Sequence, residues 1–407
     1  MRNRISILLT CATLAGVVYL CLAWGQGVIA GELRRMTDES WAGGPVSATL
    51  VDAASEELTF GAARIFREVG LSRTSGLPCY QGFNSETPIH AVLASDCVYT
   101  HFLPGPEYAV LALMSVFGES DEALMKMRIV PLTIVLGLAA LLVLVAAARM
   151  GFSWPLAAPL VLAALVAVPG LRFWSLSLYG HSYSNACILA ALTLGLAAGA
   201  LPTRRGLLLA AAFVIGALSN LFLLEGAFVV FVAPLVGALL AGGAKPFRLG
   251  ARLSVVVGLG LLFAFVVHLL QVAHHLQSLP LALEDQLGTA LLRAESRGGP
   301  GRLALLLEVS EETALFYGLG ALPMLLTGLL ACWLSRATDG RRGRYAVALL
   351  LAAGAALMFP LLLKHHSVLH LYRVPRVFLL LFVVWLLVWL SLLAERYGVS
   401  SRGVTAS

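Results

Sequence analysis

Apolar positions run through this chain in long unbroken blocks rather than in the short alternations of a soluble protein. Ten blocks are long enough to cross about 30 Å of hydrocarbon as helices. They cover 5–27, 128–147, 153–170, 183–201, 206–222, 225–242, 253–273, 316–334, 345–363 and 377–394. The first follows Arg2 and Arg4 and has the flanks of a signal peptide. Its apolar run from Ile5 to Trp24 is longer than a usual signal core, Ala-Gly-Glu is a poor cleavage site, and Leu20 spoils a lipobox before Cys21. The pattern predicts a retained first helix.

Polar residues gather in three connections: 28–127, 274–315 and 364–376. Within the first, 46–70 has helical periodicity. Leu50, Ala54, Leu58, Ala62, Ile65 and Phe66 are expected on one face, opposite Glu56, Glu57, Arg64 and Arg67, with Gly70 as the stop. Such a helix is expected to lie in the membrane interface with its apolar face toward lipid or the bundle. Residues 71–100 show no period, and 101–118 read as a turn followed by an apolar helix too short to span. The second connection holds amphipathic candidates at 281–296 and 302–315. The expected fold is an all-α polytopic membrane protein, one integral domain over 1–407, with about ten transmembrane helices.

Composition agrees: 59% of the 407 residues are apolar and 12% charged, about half the charged share of a soluble domain. A mean hydropathy of +0.88 excludes a soluble globular fold, a disordered chain and a disulfide scaffold. The net charge of +6 does not point to nucleic acid, because the charges are sorted by connection. With the N-terminus inside, one face carries fourteen basic and two acidic residues, and the other carries fourteen basic and twenty acidic. The positive-inside rule then predicts both termini in the cytoplasm and the three polar connections outside. Basic residues are nearly all Arg, and Ala and Gly abound, as in a GC-rich bacterial genome. The expected location is a bacterial inner membrane.

All nine histidines fall on the outer face or in the outer half of a span, so any chemistry is expected there. Cys79 and Cys97 share the first loop and are either a disulfide pair or two unrelated thiols. Asp38–Glu39, about ten residues past the first span, reads either as a general base with its neighbour or as a solvated or capping acid. Lys364, His365, His366, His370, Arg373 and Arg376 crowd a short outer segment. They read either as a phosphate or pyrophosphate site or as cations snorkelling to lipid headgroups. His366 and His370 at i, i+4 leave a divalent metal possible, but without a third ligand the spacing does not support one, and no other cofactor is assigned. Glu225 is an acid at membrane depth, a functional candidate by default. No Walker loop, dinucleotide fingerprint or nucleophile elbow is present.

The order of parts resembles a family. A single helix precedes a long outer loop that opens on Asp38–Glu39. An amphipathic helix and the stretch Tyr99–Tyr108 (Tyr-x-His-Phe-x-Pro-Gly-Pro-Glu-Tyr) follow, then Trp174–Asn185 and a late pair, Arg373 and Arg376. This resembles the GT-C glycosyltransferases, most closely the bacterial relatives of dolichyl-phosphate-mannose protein mannosyltransferases. The resemblance implies transfer of a sugar from a polyprenyl-phosphate donor to an acceptor hydroxyl (lipid, glycan or protein) on the outer face. It implies Asp38 as base with Glu39 beside it. Arg373 and Arg376, with Lys364, His365 and His366, would hold the donor phosphate. His101, Glu107, His181 and Tyr183 would contact substrate. The competing classes are a lipid-linked-saccharide transporter or flippase and a non-catalytic membrane scaffold. The scarcity of polar groups at span centres speaks against transport.

Overall fold

The computed structural model describes residues 2–36, 53–80, 98–100, 103–151, 154–222, 226–294, 301–335, 340–369 and 371–396. Among them the chain is mostly helical, with one isolated antiparallel bridge between Cys79 and Val98. Helix α1 (Arg2–Met36) is followed by α2 (Ala53–Val69), α3 (Gly105–Phe117), α4 (Asp121–Met127), α5 (Ile129–Met150) and α6 (Trp154–Ala167). Then come α7 (Pro169–Trp174), α8 (Gly180–Ala198), α9 (Arg205–Phe222), α10 (Ala227–Ala241), α11 (Pro246–His275) and α12 (Leu279–Ala294). Helices α13 (Arg302–Tyr317), α14 (Ala321–Leu334), α15 (Arg341–Leu362), α16 (Lys364–Leu369) and α17 (Leu379–Arg396) complete the chain. A 3-10 turn, Leu371–Phe378, leads into α17.

This is a multi-pass membrane protein. Six helical segments are long and apolar enough to span: Cys11–Ala30, Glu122–Met150, Arg205–Phe222, Pro246–His275, Arg341–Leu362 and Arg373–Glu395. A seventh arises if α13 and α14, bent by 76° at their junction, count as one span. The bend falls where Gly318 adopts a left-handed φ of 74°, which ends α13. The remaining expected spans appear as shorter or more polar helices. Helix α6 has 14 residues with Pro159 inside it, and α10 has 15 with Pro234 inside it. Proline removes a helical hydrogen bond, so such segments stay helical only where neighbours compensate.

Buried aliphatic residues from α5, α6, α8, α10, α15 and α17 form one continuous core. Helices α9 and α11 approach through glycines. A Cβ on Gly216 would collide with the Val257 carbonyl, and one on Gly260 with that of Phe213. This is the small-residue packing that lets membrane helices meet at backbone distance. Helices α11 and α12 also expose Leu259, Leu262, Phe263, Leu270 and Leu291, as suits contact with lipid.

Three helices share a polarity that orients the bundle. Helix α9 begins at Arg205, α11 just after Lys245 with Arg248 in its first turn, and α15 at Arg341. Each runs away from this basic end and finishes at the other, where α2, α3 and the 71–80 segment are packed.

Helix α2 corrects one expectation. Glu56 is not on a polar outer face; it is 1% exposed, while Leu58 is 38% exposed. The buried side of α2 is made by Glu56, Thr59, Phe60, Ala62, Ala63, Ile65 and Phe66, so Ala62, Ile65 and Phe66 are buried as expected, and α2 packs on α3. Glu56 is held there by an ion pair with Arg128 at 2.5 Å and by the Leu178 N–H, which donates at 2.7 Å. Arg128 also donates to the Leu176 carbonyl at 3.2 Å. Periodicity weighs apolar residues only and cannot register an acid whose partners lie 72 and 122 positions away.

Candidate functional site

At the end of the bundle opposite the basic helix starts lies a cavity of about 420 Å³, within the range of ligand pockets. Its apolar walls are Leu103 and Pro106 before and in α3, Phe222 of α9, Phe265 of α11, Leu363 and the Leu283–Leu287 face of α12. The polar lining is sparse: Tyr80, Glu107, Tyr179, Asn220, Gln286, Thr289 and Arg293. Among these are one carboxylate and one guanidinium.

Glu107 sits in the first turn of α3, outside the membrane-spanning segments, where a carboxylate is favoured by the helix N-terminus. The turn is held against α9 through Gly105, where a Cβ would come within 2.5 Å of the Leu221 carbonyl. That approach sets Glu107 and Asn220 on adjoining walls. Glu107 is 1% exposed. Its Oε1 accepts from the Thr59 hydroxyl at 3.2 Å and from the Tyr80 hydroxyl at 2.5 Å. Its Oε2 is buried without a hydrogen-bond partner among the described residues. Burial pushes the carboxyl up to about 7, although the bonds from Tyr80 and Thr59 pull the other way. A carboxyl that titrates near neutrality can both take and return a proton.

Tyr80 is fixed by its neighbours in sequence. Cys79 is disulfide-bonded and bridges to Val98. The Tyr99 N–H donates to the Pro78 carbonyl at 2.7 Å, and the Tyr80 ring packs on that of Tyr99 with centroids 5.2 Å apart. The strap formed by 71–80 and 98–100 is laced to the helices around it. Tyr108 donates to the Gly76 carbonyl at 2.7 Å, and Gln271 donates to the Tyr108 hydroxyl at 3.2 Å. Gln286 donates to the Thr100 carbonyl at 2.7 Å, with His268 Nε2 2.8 Å from the same oxygen. Burial and the nearby Glu107 charge hold the Tyr80 phenol well above its usual range, so it stays protonated.

A second polar cluster adjoins the cavity. Arg376 Nη1 donates to His181 Nδ1, and both side chains are buried. His181 lies edge-on to Trp174 and Tyr179, at 4.4 and 5.0 Å between centroids. Tyr179 belongs to both groups, since it also lines the cavity. Tyr183 stacks on Phe222, another lining residue, at 4.1 Å.

The structure therefore brings together Glu107, His181, Tyr183 and Arg376 around one end of the bundle. Arg376, 1% exposed, does not snorkel to headgroups, and Arg373 is buried beside it at 9%. Neither lines the cavity. Lys364 is half-buried and opens α16, immediately after the lining residue Leu363. The side chains of His365 and His366 lie outside the described residues, as do Asp38, Glu39, Cys97, His101, Glu225 and His370. Cysteines 11, 21, 187 and 332 are free. No group of three metal-ligating side chains occurs among the described residues.

Sequence reading missed Tyr80, Thr59 and Arg293. One signal was present: Glu56, Thr59 and Ala63 recur at helical spacing beside Phe60 and Phe66, a buried face with two polar positions. Arg293 carried no signal beyond its place on an amphipathic helix. Compared with known proteins, the chain matches no family model, no curated protein and no solved structure.

Proposed function

We propose that the chain is a polyprenyl-phosphate-sugar-dependent glycosyltransferase of the GT-C type. In this reading it occupies a bacterial inner membrane as a bundle of about ten helices, with both termini in the cytoplasm and its cavity on the outer face. The observation that carries the reading is a mostly apolar cavity lined by one buried carboxyl poised near neutrality, Glu107, and by a cation, Arg293. An apolar wall suits an isoprenoid chain, the cation suits a departing phosphate, and the carboxylate suits an acceptor hydroxyl. The basic starts of α9, α11 and α15 at the opposite end support an outward-facing cavity.

In the reaction, the acceptor oxygen bonds to the anomeric carbon as the bond from that carbon to the lipid phosphate breaks. The acceptor proton passes to the protein, and the phosphate leaves as an anion. Glu107 is the proton acceptor in this scheme, with Asp38 the competing assignment. Arg376 and His181 brace the wall behind Tyr179. The acceptor is a lipid, glycan or protein hydroxyl.

The test is transfer or release of labelled sugar from a panel of undecaprenyl-phosphate sugars by the reconstituted protein, wild type against Glu107→Gln and Asp38→Ala. Loss of at least 100-fold in the Glu107 variant, with Asp38→Ala active, is expected; a general base contributes about 10²–10⁴-fold. The reverse pattern moves the base to Asp38. A wild type that neither turns over nor binds any donor overturns the reading.

A further inference from the structure

Glu107 borders the cavity, yet it has a feature that a direct base does not explain: the residue is 1% exposed and its carboxylate is largely engaged by protein. Oε1 carries two donors, Thr59 and Tyr80, and Oε2 is enclosed by protein. Of the two donors, Thr59 is fully buried, whereas Tyr80 is half-buried and lines the cavity. The phenol is therefore a hydrogen-bonded connection between the carboxylate and the space where a ligand would sit. Its single proton is committed to Glu107 at 2.5 Å, which leaves the oxygen lone pairs to accept from a ligand.

We infer that Tyr80 is the catalytic residue that touches the acceptor hydroxyl, and that it relays the proton to Glu107. This rests on the transferase reading above. As the acceptor oxygen bonds to the anomeric carbon, its proton moves to the Tyr80 oxygen and the Tyr80 proton moves to Glu107 Oε1. The phenol ends as it began, Glu107 ends protonated, and the lipid phosphate carries away the charge. Proton return from Glu107 to solvent by the same route resets the pair.

Geometry favours a relay over a merely structural tyrosine. The hydroxyl has a short, charge-assisted bond on one side and the cavity on the other. The ring is locked by Tyr99 and by the bridged Cys79 next to it, so the oxygen is held in place before any ligand arrives. An ordinary buried tyrosine would instead be satisfied by protein on all sides.

The experiment uses the full chain in nanodiscs, with labelled undecaprenyl-phosphate sugar as donor, and compares wild type, Tyr80→Phe and Tyr80→His. Phenylalanine keeps the ring and removes only the oxygen, and unfolding midpoints of all three proteins check the fold. A drop of about 10²-fold or more in kcat with KM within threefold is expected for Tyr80→Phe. Histidine, which can also pass a proton, is expected to restore at least tenfold of that loss. Rates in mixtures of H2O and D2O should bend for wild type, because two protons move together, a signature that a structural role does not produce. A Tyr80→Phe protein within threefold of wild type overturns the relay and leaves the transferase reading standing. Silence of the wild type with every donor overturns both.

Discussion

Replacing Arg128 by methionine isolates the cost of leaving Glu56 alone in the protein interior. The pair is enclosed, with side-chain exposures of 1% and 0% at 2.5 Å, so the loss of the cation is not screened by water. Burial is the strongest influence on the Glu56 carboxyl and pushes it up, while Arg128 and the Leu178 N–H pull it down. Without Arg128 the carboxyl protonates to fold, since a neutral acid still accepts from Leu178. Relative to an unfolded glutamate near 4.3, that protonation costs about 1.4 kcal/mol for each pH unit above 4.3. The wild-type carboxyl is itself raised by burial, so the deficit against wild type is at most roughly 1 kcal/mol at pH 5 and about 4 kcal/mol at pH 7.5, the order of the ~3–5 kcal/mol typical of a broken buried pair. The sign follows from linkage: in the variant the folded carboxyl titrates above the unfolded one, so stability is kept at low pH and lost as pH rises. Equilibrium unfolding in mixed micelles from pH 5 to 7.5 measures this directly. The double variant Glu56→Gln with Arg128→Met should regain most of the loss and show no pH dependence beyond that of the wild type, which Glu107 contributes. An Arg128→Met deficit that is the same at both ends of the range would refute the reasoning.

Two other predictions concern Glu107. Because its carboxyl sits near 7 when folded, raised from the model-peptide range, the wild type should lose about 3 kcal/mol of stability between pH 4.5 and pH 7. Glu107→Gln should lack that loss and be the more stable protein at pH 8; unfolding midpoints at pH 5 and 8 check it. Removing the Tyr80 hydroxyl deletes one bond to the charged carboxylate, worth about 1.5–3 kcal/mol, so Tyr80→Phe should raise the Glu107 titration by roughly 1–2 units. Infrared titration of the protonated carboxyl band, assigned by its disappearance in Glu107→Gln, reads the shift; a midpoint that stays or falls contradicts it.

The helices outside the bundle show where linear reading reaches its limit. The interval 101–118 announced a turn and a non-spanning helix by its Pro-Gly-Pro and its length, and α3 is that helix. The intervals 281–296 and 302–315 likewise became α12 and α13. Helix α2 was legible as a helix that buries Ala62, Ile65 and Phe66, but not in the burial of Glu56, which is compensated by Arg128 and Leu178, far along the chain. The late cationic segment was legible as polar. That Arg376 turns inward onto His181 follows from the 3-10 turn and the packing of α8, neither of which leaves a trace in composition.

The sequence by itself determined what depends on local hydrophobicity: a multi-pass helical membrane protein, its basic helix starts and its polar connections. Hydrocarbon imposes that result on any segment, since an unpaired backbone cannot cross it. Tertiary structure alone decided which polar residues meet. Thr59 and Tyr80 reach Glu107 from 48 and 27 positions away, and Arg293 faces the same cavity from α12. Such contacts arise from helix packing and from the strap that Cys79 and Val98 pin together, and no spacing rule along the chain encodes them.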